Sequence, residues 1–149
     1  PYGYSLWEME VYATVKETAE YGVVSKNKTA TTSGAETEAM AAANAFDGDT
    51  GTRWSSNFAD DAWISVDLGK TYAVSKVVLN WEGAYGESYK IQTSTDGKNW
   101  TTVKDVTGKN GGVDTITFNT VNARYVRMQG VERALPYGYS IYEFEVYGR

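Results

Sequence analysis

The sequence predicts an all-β fold, a β-sandwich, from three observations. Apolar and polar residues alternate with a period of two in six short runs. Asp, Asn and Gly clusters of the kind that form turns separate these runs, at a spacing of about ten residues typical of sandwiches. Only residues 38–46, with the Ala-rich run 39–45, could form a helical turn, and they lead straight into an Asp-Gly loop.

Each predicted strand rests on its own alternation. In chain order, the predicted strands cover residues 64–68, 77–81, 89–93, 116–118, 126–128 and 142–146. The predicted turns between and beside them are residues 47–49, 96–99, 109–112 and 137–138.

The two ends of the chain nearly repeat each other. Residues 1–12 (PYGYSLWEMEVY) return as residues 136–147 (PYGYSIYEFEVY), with nine of twelve positions identical at an offset of 135. That offset is the length of one domain. We therefore predict that residues 1–12 are the last strand of a preceding tandem module, 13–21 a connector, and 22–149 one complete module. The alternative is that residues 1–12 pack on the single domain as an extra strand.

The composition excludes several classes of function. The chain has no Cys and no His, which rules out a disulfide scaffold, thiol catalysis and a histidine-based triad. The net charge of −5 and the pI of about 4.8 argue against nucleic acid as a partner. An acidic surface favours a neutral or cationic ligand instead.

One loop has the oxygen-rich pattern of a cation site. Asp47 and Asp49 flank a Gly, and Thr52 follows three residues later. Calcium takes six to eight oxygen ligands from carboxylates, carbonyls and hydroxyls. The spacing is not that of an EF-hand, and on the pattern alone an ordinary Asx turn without metal stays open.

Several motifs together resemble the discoidin (coagulation factor V/VIII type C) superfamily. They are DGDTGTRWSS at 47–56, WISVDLG at 63–69, YKIQTS at 89–94 with DGKNW at 96–100, ARYVR at 123–127 and EFEVYG at 143–148. Within the superfamily the chain is most similar to carbohydrate-binding module family 32, as appended to secreted bacterial glycanases. The likeness covers residues 22–148 and implies an eight-stranded antiparallel jelly-roll sandwich.

The resemblance also implies a structural Ca²⁺ under the ligand-binding loops. It places the ion between one early loop and the final strand, which would stabilise the fold. The implied ligands are the side chains of Asp47, Thr52 and Glu143 and the carbonyls of Asn44, Asp49, Thr52 and Tyr142.

Four loops at one end of the expected sandwich combine aromatic rings with carboxylates and Arg. They span residues 33–38, 53–61, 81–87 and 132–139. Sugar recognition needs ring faces for the apolar side of a pyranose and charged groups for its hydroxyls. The predicted ligand residues are Glu36, Arg53, Phe58, Trp81, Glu82, Tyr139 and Tyr142. In the alternative reading Trp81 caps the core and Glu82 is a solvated strand end, and the resemblance places Trp54 in the core.

The same residues indicate which sugar is bound. The absence of His speaks against the galactose mode common in the family. The pair Trp81-Glu82, together with Glu36 and the GYSIYE ending at 138–143, looks more like the modules of chitosanases and β-1,3-glucanases. Carboxylates suit the ammonium of glucosamine, so chitosan-type oligomers are favoured over β-1,3-glucan. Galactose-type glycans and discoidin-like adhesion are the further alternatives.

The predicted role is therefore that of a non-catalytic module that holds a secreted, extracellular bacterial glycanase on its polysaccharide, in tandem copies. Glu36 and Glu82 could flank a glycosidic bond, but a shallow loop surface gives a catalytic pair little enclosure. Binding to anionic lipid is disfavoured because the loops are acidic, with Asp60, Asp61, Glu82, Glu87 and Glu132.

Overall fold

The structure is a computed structural model and describes residues 1–8 and 21–149. Residues 1–8 have no regular secondary structure, and Tyr2, Tyr4 and Trp7 are almost fully exposed. Residues 9–12 of the predicted first strand and residues 13–20 of the predicted connector lie outside the described residues. The assignment of residues 1–21 to a preceding module and a connector stays a prediction.

Within the described residues the fold consists of eight β-strands and two short 3₁₀ turns. The strands are β1 (Gly22–Val23), β2 (Thr29–Thr32), β3 (Trp54–Ser55), β4 (Trp63–Trp81), β5 (Gly86–Ser94), β6 (Thr101–Val106), β7 (Val113–Arg133) and β8 (Ser140–Gly148). The 3₁₀ turns are Glu38–Met40 and Ala42–Phe46, where one helical turn was expected. All strand pairs are antiparallel, which confirms the predicted all-β sandwich.

Two long strands pass from one layer of the sandwich to the other. The first part of β4 pairs with β2 and with the end of β7. The end of β7 also pairs with β5, and β5 pairs with β6. The second part of β4 pairs with β8 and with the start of β7. The register of β4 against β7 shifts between Asp67 and Tyr72, where Gly69 has a φ of +86°. Such an irregularity bends a strand and lets it contribute to both layers.

The core lies between the layers and is built from the inward positions of the alternating strands. Phe46 of the second 3₁₀ turn meets Phe144 of β8 edge to face, with the ring centroids 5.3 Å apart. The fully buried large side chains are Trp54, Ile64, Val66, Leu68, Leu79, Tyr89, Ile91, Met128, Tyr139, Ile141 and Phe144, with Phe46. Burying such a set supplies the main favourable term in folding.

The ends of several strands meet at one end of the sandwich. Trp54 of β3 pairs with Ile141, and Ser55 pairs with Ser140, so β3 is fixed against the start of β8. The end of β4 lies beside the same strand, because Trp81 also pairs with Ile141. The loops that hold most of the predicted ligand residues therefore converge here. No helix among the described residues has the length and apolar character needed to cross a membrane.

Candidate functional site

A small open depression lies among these loops. It measures about 340 Å³ and is lined by Glu36, Arg53, Ser55, Glu82, Gly83, Ala84, Leu135 and Tyr137. Its size is at the lower end of small-molecule sites, roughly 300–1,000 Å³. A larger depression of about 640 Å³ lies between β6 and β7, but Thr, Val, Lys, Phe and Asn line it and no carboxylate does. Of these two depressions, the smaller one combines acidic, basic and aromatic groups.

Arg53 is held on one side of this depression by two partners. Its Nη1 donates to Ser140 Oγ at 2.7 Å and lies 3.5 Å from Glu82 Oε2. Both charged side chains keep 31 % of their surface exposed, so the ion pair is open to solvent. Ser55 of β3 pairs with Ser140 of β8. This pairing places Arg53, two residues before Ser55, close to its hydrogen-bond partner Ser140.

The position of Glu82, just after β4, is fixed by hydrogen bonds of both its backbone and its side chain. Its N–H donates to the Ser140 carbonyl at 2.9 Å, and its Oε2 accepts from the Ala84 N–H at 3.3 Å. Burial alone would raise the pKa of Glu82, but the N–H groups of Gly83 and Ala84 and the charge of Arg53 hold that pKa below its usual value. Glu82 is therefore a carboxylate at neutral pH.

Glu36 faces the depression from the loop after β2. Its N–H donates to the Ser55 carbonyl at 2.8 Å, and its Oε2 accepts from Ser55 Oγ at 2.9 Å. Within residues 1–8 and 21–149, no Lys or Arg nitrogen lies within salt-bridge distance of this carboxylate. The two carboxylates and the single guanidinium thus leave the depression with one net negative charge.

The structure brings together only some of the predicted ligand residues. Glu36, Arg53 and Glu82 line the depression, and Phe58 lies in an adjoining one. Tyr142 is half-buried on β8 and does not line it. Ser55, Leu135 and Tyr137 line the depression and were not predicted as site residues, although they lie within the RWSS motif at 53–56 and the loop at 132–139. Ser140, the hydrogen-bond partner of Arg53, was not predicted either and lies in the GYSIYE segment at 138–143.

The assignment of Trp81 and Tyr139 as sugar contacts is corrected, because both rings belong to the core. Trp81 is 4 % exposed and Tyr139 is fully buried, so neither has a free ring face. Trp81 Nε1 donates to Asp114 Oδ2 at 3.0 Å, and the hydroxyl of Tyr89 donates to the same oxygen at 2.6 Å. The Trp81 ring packs against the rings of both Tyr89 and Tyr139. The alternative reading of Trp81 as a cap on the core is the one that fits.

The oxygen-rich loop at 44–52 lies beside the final strand, as the resemblance implies. Thr52 Oγ1 lies 2.5 Å from Asp47 Oδ2, 3.1 Å from the Asp49 carbonyl and 3.4 Å from the Asn44 carbonyl. Burial, together with the hydrogen bond and the negative charge of Asp47, raises the pKa of Glu143 to about 8. Glu143 Oε1 is buried without a hydrogen-bond partner among the described residues.

An orphaned carboxylate oxygen beside a second carboxylate, a hydroxyl and carbonyls has the chemistry of a hard-cation site. The described residues contain no group of three or more Asp, Glu, His or Cys side chains that could hold a metal ion. A cation here would therefore depend on the hydroxyl and the carbonyls as well as on Asp47 and Glu143. That donor set fits Ca²⁺ better than metals that prefer nitrogen or sulfur.

Comparison with known proteins assigns the fold to a family. A profile for the NedA-like, galactose-binding domain of F5/F8 type C matches residues 44–128. The chain belongs to this discoidin-like family. Its resemblance to the discoidin superfamily, predicted from the motifs, is thereby confirmed.

Solved structures of similar domains come from carbohydrate-binding modules. The discoidin-like chain is 50 % identical to chitosan-binding module 1 of a chitosanase/glucanase from Paenibacillus sp. IK-5, over 85 % of this chain and 99 % of that one, with a TM-score of 0.82. It is 45 % identical to module 2 of the same enzyme, solved with chitotriose, over 84 % and 99 %, with a TM-score of 0.82. It is 26 % identical to the family 32 module of NanJ from Clostridium perfringens, solved with galactose, over 86 % and 98 %, with a TM-score of 0.73.

A curated relative extends far beyond this discoidin-like domain. The chain is 38 % identical over 112 residues to HylA, a polysaccharide lyase 8 family protein of Enterococcus faecalis. The match covers 69 % of this chain and spans about 8 % of the length of that relative.

Proposed function

We propose that this domain is a non-catalytic carbohydrate-binding module for chitosan-type glucosamine oligomers, with its site in the depression of Glu36, Arg53 and Glu82. One observation carries the proposal: two carboxylates face one guanidinium, and Glu36 has no cationic partner among the described residues. Domains 45–50 % identical to this one are chitosan-binding modules, and one of them holds chitotriose.

The charge of the depression suits an amino sugar. Arg53 is occupied by Glu82 and Ser140, so Glu36 is the carboxylate free to meet an ammonium group. Such a pair contributes on the order of 1 kcal/mol when it is partly exposed. Glu82 and Arg53 then offer an acceptor and a donor to ring hydroxyls, through charge-assisted hydrogen bonds.

Apolar contact comes from the wall of the depression that Leu135 and Tyr137 form. Tyr137 is 59 % exposed and Leu135 is 41 % exposed, and both line the depression. An exposed aromatic ring at a concave site offers a face or an edge to the C–H side of a pyranose. This wall would also serve a neutral β-1,3-glucan, which is why laminarin oligomers are the comparison ligand.

Calorimetric titration of glucosamine and laminarin oligomers, at two ionic strengths, tests the proposal. Chitosan oligomers should bind, with affinity falling as salt is raised. Glu36→Gln should weaken that binding about fivefold, as expected for loss of one exposed ion pair. Glu38→Gln is the matched control. It removes the same charge at a position two residues after Glu36, from a side chain that does not line the depression. Salt-insensitive binding to laminarin alone would overturn the choice of sugar.

We also propose that the domain holds a structural Ca²⁺ through Asp47, Thr52, Glu143 and neighbouring carbonyls. The buried Glu143 Oε1, which has no hydrogen-bond partner among the described residues, supports this proposal. A bound cation would coordinate this oxygen and would offset the repulsion between the negative charges of Asp47 and Glu143. A bound ion that is absent from the unfolded chain stabilises the fold by about 2.7 kcal/mol at a hundredfold excess over its Kd. The melting temperature should fall in chelator and return with added Ca²⁺; an unchanged melt would refute the ion.

We further propose that the domain is part of a larger secreted glycan-active enzyme, in tandem with another copy. The similar modules 1 and 2 come from one chitosanase/glucanase, and the curated relative is a polysaccharide lyase family protein. The repeat of residues 136–147 at 1–12 also supports a preceding module. Immunoblots with antibody to this domain should detect, in culture supernatant, a protein much larger than 16.4 kDa. A cell-retained protein of domain size would contradict both points.

A further inference from the structure

A second depression adjoins the first one at Glu36. It measures about 300 Å³ and is lined by Ala35, Glu36, Asn57 and Phe58. Glu36 lines both depressions, so the two are contiguous and the carboxylate lies at their border. The ring of Phe58 therefore lies in a depression that adjoins the first one at Glu36.

Phe58 is exposed although its loop is tightly fixed. The side chain is 56 % exposed. On one side of it, Ser56 N–H donates to the Tyr139 carbonyl and Ser56 Oγ to the Asn57 carbonyl, each at 2.8 Å. On the other side, the Tyr139 hydroxyl donates to the Asp60 carbonyl at 2.6 Å. The ring is thus held in water by a preorganised loop, which lowers the entropic cost of binding a ligand on it.

The floor and the border of this second depression are also built from close contacts. A Cβ at Gly34 would lie 2.9 Å from Asn57 Oδ1, so the absence of a side chain at Gly34 makes room for the Asn57 amide. Phe58 meets Tyr137 at nearly a right angle, 79°, with the ring centroids 6.5 Å apart. Because Tyr137 lines the first depression, the aromatic pair joins the two depressions along one side.

We propose that Phe58 and Asn57 form a second sugar subsite, so that the domain binds at least two consecutive units of a glycan chain. The inference rests on the proposed function of the first depression. The first unit lies against Glu36, Arg53 and Glu82. The next unit places its C–H face on Phe58, and a hydroxyl of that unit meets the amide of Asn57. Glu36 at the border is within reach of both units.

The test is a chain-length series measured by calorimetric titration. Glucosamine, chitobiose, chitotriose and chitotetraose are titrated into the full chain and into Phe58→Ala, Phe58→Leu and Phe58→Tyr. The parent should gain about fivefold in affinity from one unit to two, as expected for one aromatic contact. Phe58→Ala and Phe58→Leu should bind glucosamine like the parent and lose that gain. Phe58→Tyr keeps a ring and should retain it.

The outcomes separate this inference from the function on which it rests. If Phe58→Ala keeps the full gain from one unit to two, the second subsite is refuted while the first depression stands. If Phe58→Ala also loses glucosamine with an unchanged melt, the ring belongs to the first subsite and the inference is equally refuted. If the parent binds no member of the series, the proposed function fails and the subsite fails with it.

Discussion

The side-chain amide of Asn44 donates a hydrogen bond to the backbone carbonyl of Arg53, with 3.1 Å between Nδ2 and O. The same nitrogen donates to the Ala39 carbonyl at 2.8 Å, and the Asn44 carbonyl lies 3.4 Å from Thr52 Oγ1. One residue therefore joins the loop of the proposed calcium ion to the arginine of the candidate sugar site. Stability and ligand affinity should be coupled through this contact.

Asn44→Ala tests that coupling, because it removes the amide but leaves the backbone carbonyl. Loss of two hydrogen bonds should lower the free energy of unfolding by about 1–2 kcal/mol. Binding of chitosan oligomers should weaken by about threefold, a modest loss because Arg53 keeps its bond to Ser140. Urea denaturation and calorimetric titration measure the two effects. Asn122→Ala, at an exposed position on β7, is the control. Full affinity in a destabilised Asn44→Ala would show that the amide does not position Arg53.

Asp114 accepts hydrogen bonds from two aromatic side chains of the core. Its Oδ2 accepts from Trp81 Nε1 and from the Tyr89 hydroxyl, and the residue is 5 % exposed. Asp114→Ala leaves two buried donors unsatisfied and should cost about 2–4 kcal/mol in the free energy of unfolding. Asp114→Asn keeps an oxygen acceptor of similar shape and should cost less. Equal losses in the two variants, measured in urea, would show that packing and not the acceptor is what matters.

The strands could be predicted because their signal is local. Ile64, Val66 and Leu68 alternate with polar residues, and all three are fully buried. The sequence did not indicate that residues 64–68 and 77–81 belong to one strand, β4. That continuity depends on the irregularity near Gly69, which bends the strand without ending it. Bends of this kind are set by the pairing of β4 with two neighbours, which no local pattern records.

The candidate site was predicted in part for the same reason. Glu36, Arg53 and Glu82 are polar residues on loops, and loops at one end of a sandwich meet in space. Trp81 was misassigned because its burial depends on Asp114, a residue 33 positions away that satisfies the indole N–H. An aromatic residue at a strand end packs inward when such a partner exists, and sequence spacing does not reveal the partner.

Gly138 is required where the chain returns to β8. A Cβ at this position would clash with the Ser56 carbonyl and would lie 2.8 Å from Ser56 Oγ. The clashing carbonyl belongs to the backbone, and the Ser56 N–H is hydrogen-bonded to the Tyr139 carbonyl. Moving a flexible side chain therefore cannot relieve the clash. Gly138→Ala should destabilise the fold by about 2 kcal/mol or more. Gly83→Ala is the control, because nothing lies within 4 Å of a Cβ there, and its melt should match that of the parent. Similar melts for the two variants would refute the steric argument.

Stability should fall in acid partly through Asp96. The backbone N–H groups of Asn99 and Lys98, then the Asn99 amide and the Ser94 hydroxyl, hold the pKa of Asp96 well below its usual value. The carboxyl is therefore easier to protonate in the unfolded chain, near pH 4. Its contribution is present above that pH and is lost as the pH falls toward the folded pKa.

Melting curves of Asp96→Ala between pH 3 and pH 7 test this. The variant should melt below the parent at pH 7, and the difference should shrink toward pH 3. Asp105→Ala removes an exposed carboxylate on β6 whose contact with Lys90 is 3.6 Å, and it should show little difference at either pH. If the difference in melting temperature between Asp96→Ala and the parent does not change with pH, the turn needs the side chain of Asp96 but not its charge.

Residues 1–8 carry apolar side chains that are not covered by the residues the structure describes. Leu6 is 72 % exposed and Tyr4 is fully exposed, whereas the residues 135 positions later, Ile141 and Tyr139, are fully buried. Exposed groups of this kind favour association with another chain. Deletion of residues 1–8 should therefore leave the melting temperature and the affinity for chitosan oligomers unchanged, and should reduce self-association in sedimentation experiments at high concentration.

A less drastic variant separates apolar contact from chain length. Leu6→Ser with Trp7→Ser keeps every residue of the segment but removes two exposed apolar side chains, and it should reduce self-association as the deletion does. If the segment is the last strand of a preceding module, its apolar side chains are buried in the core of that module. A longer chain with that module added should then sediment as a monomer. Equal sedimentation of the parent, the deletion and the double variant would show that these side chains do not associate.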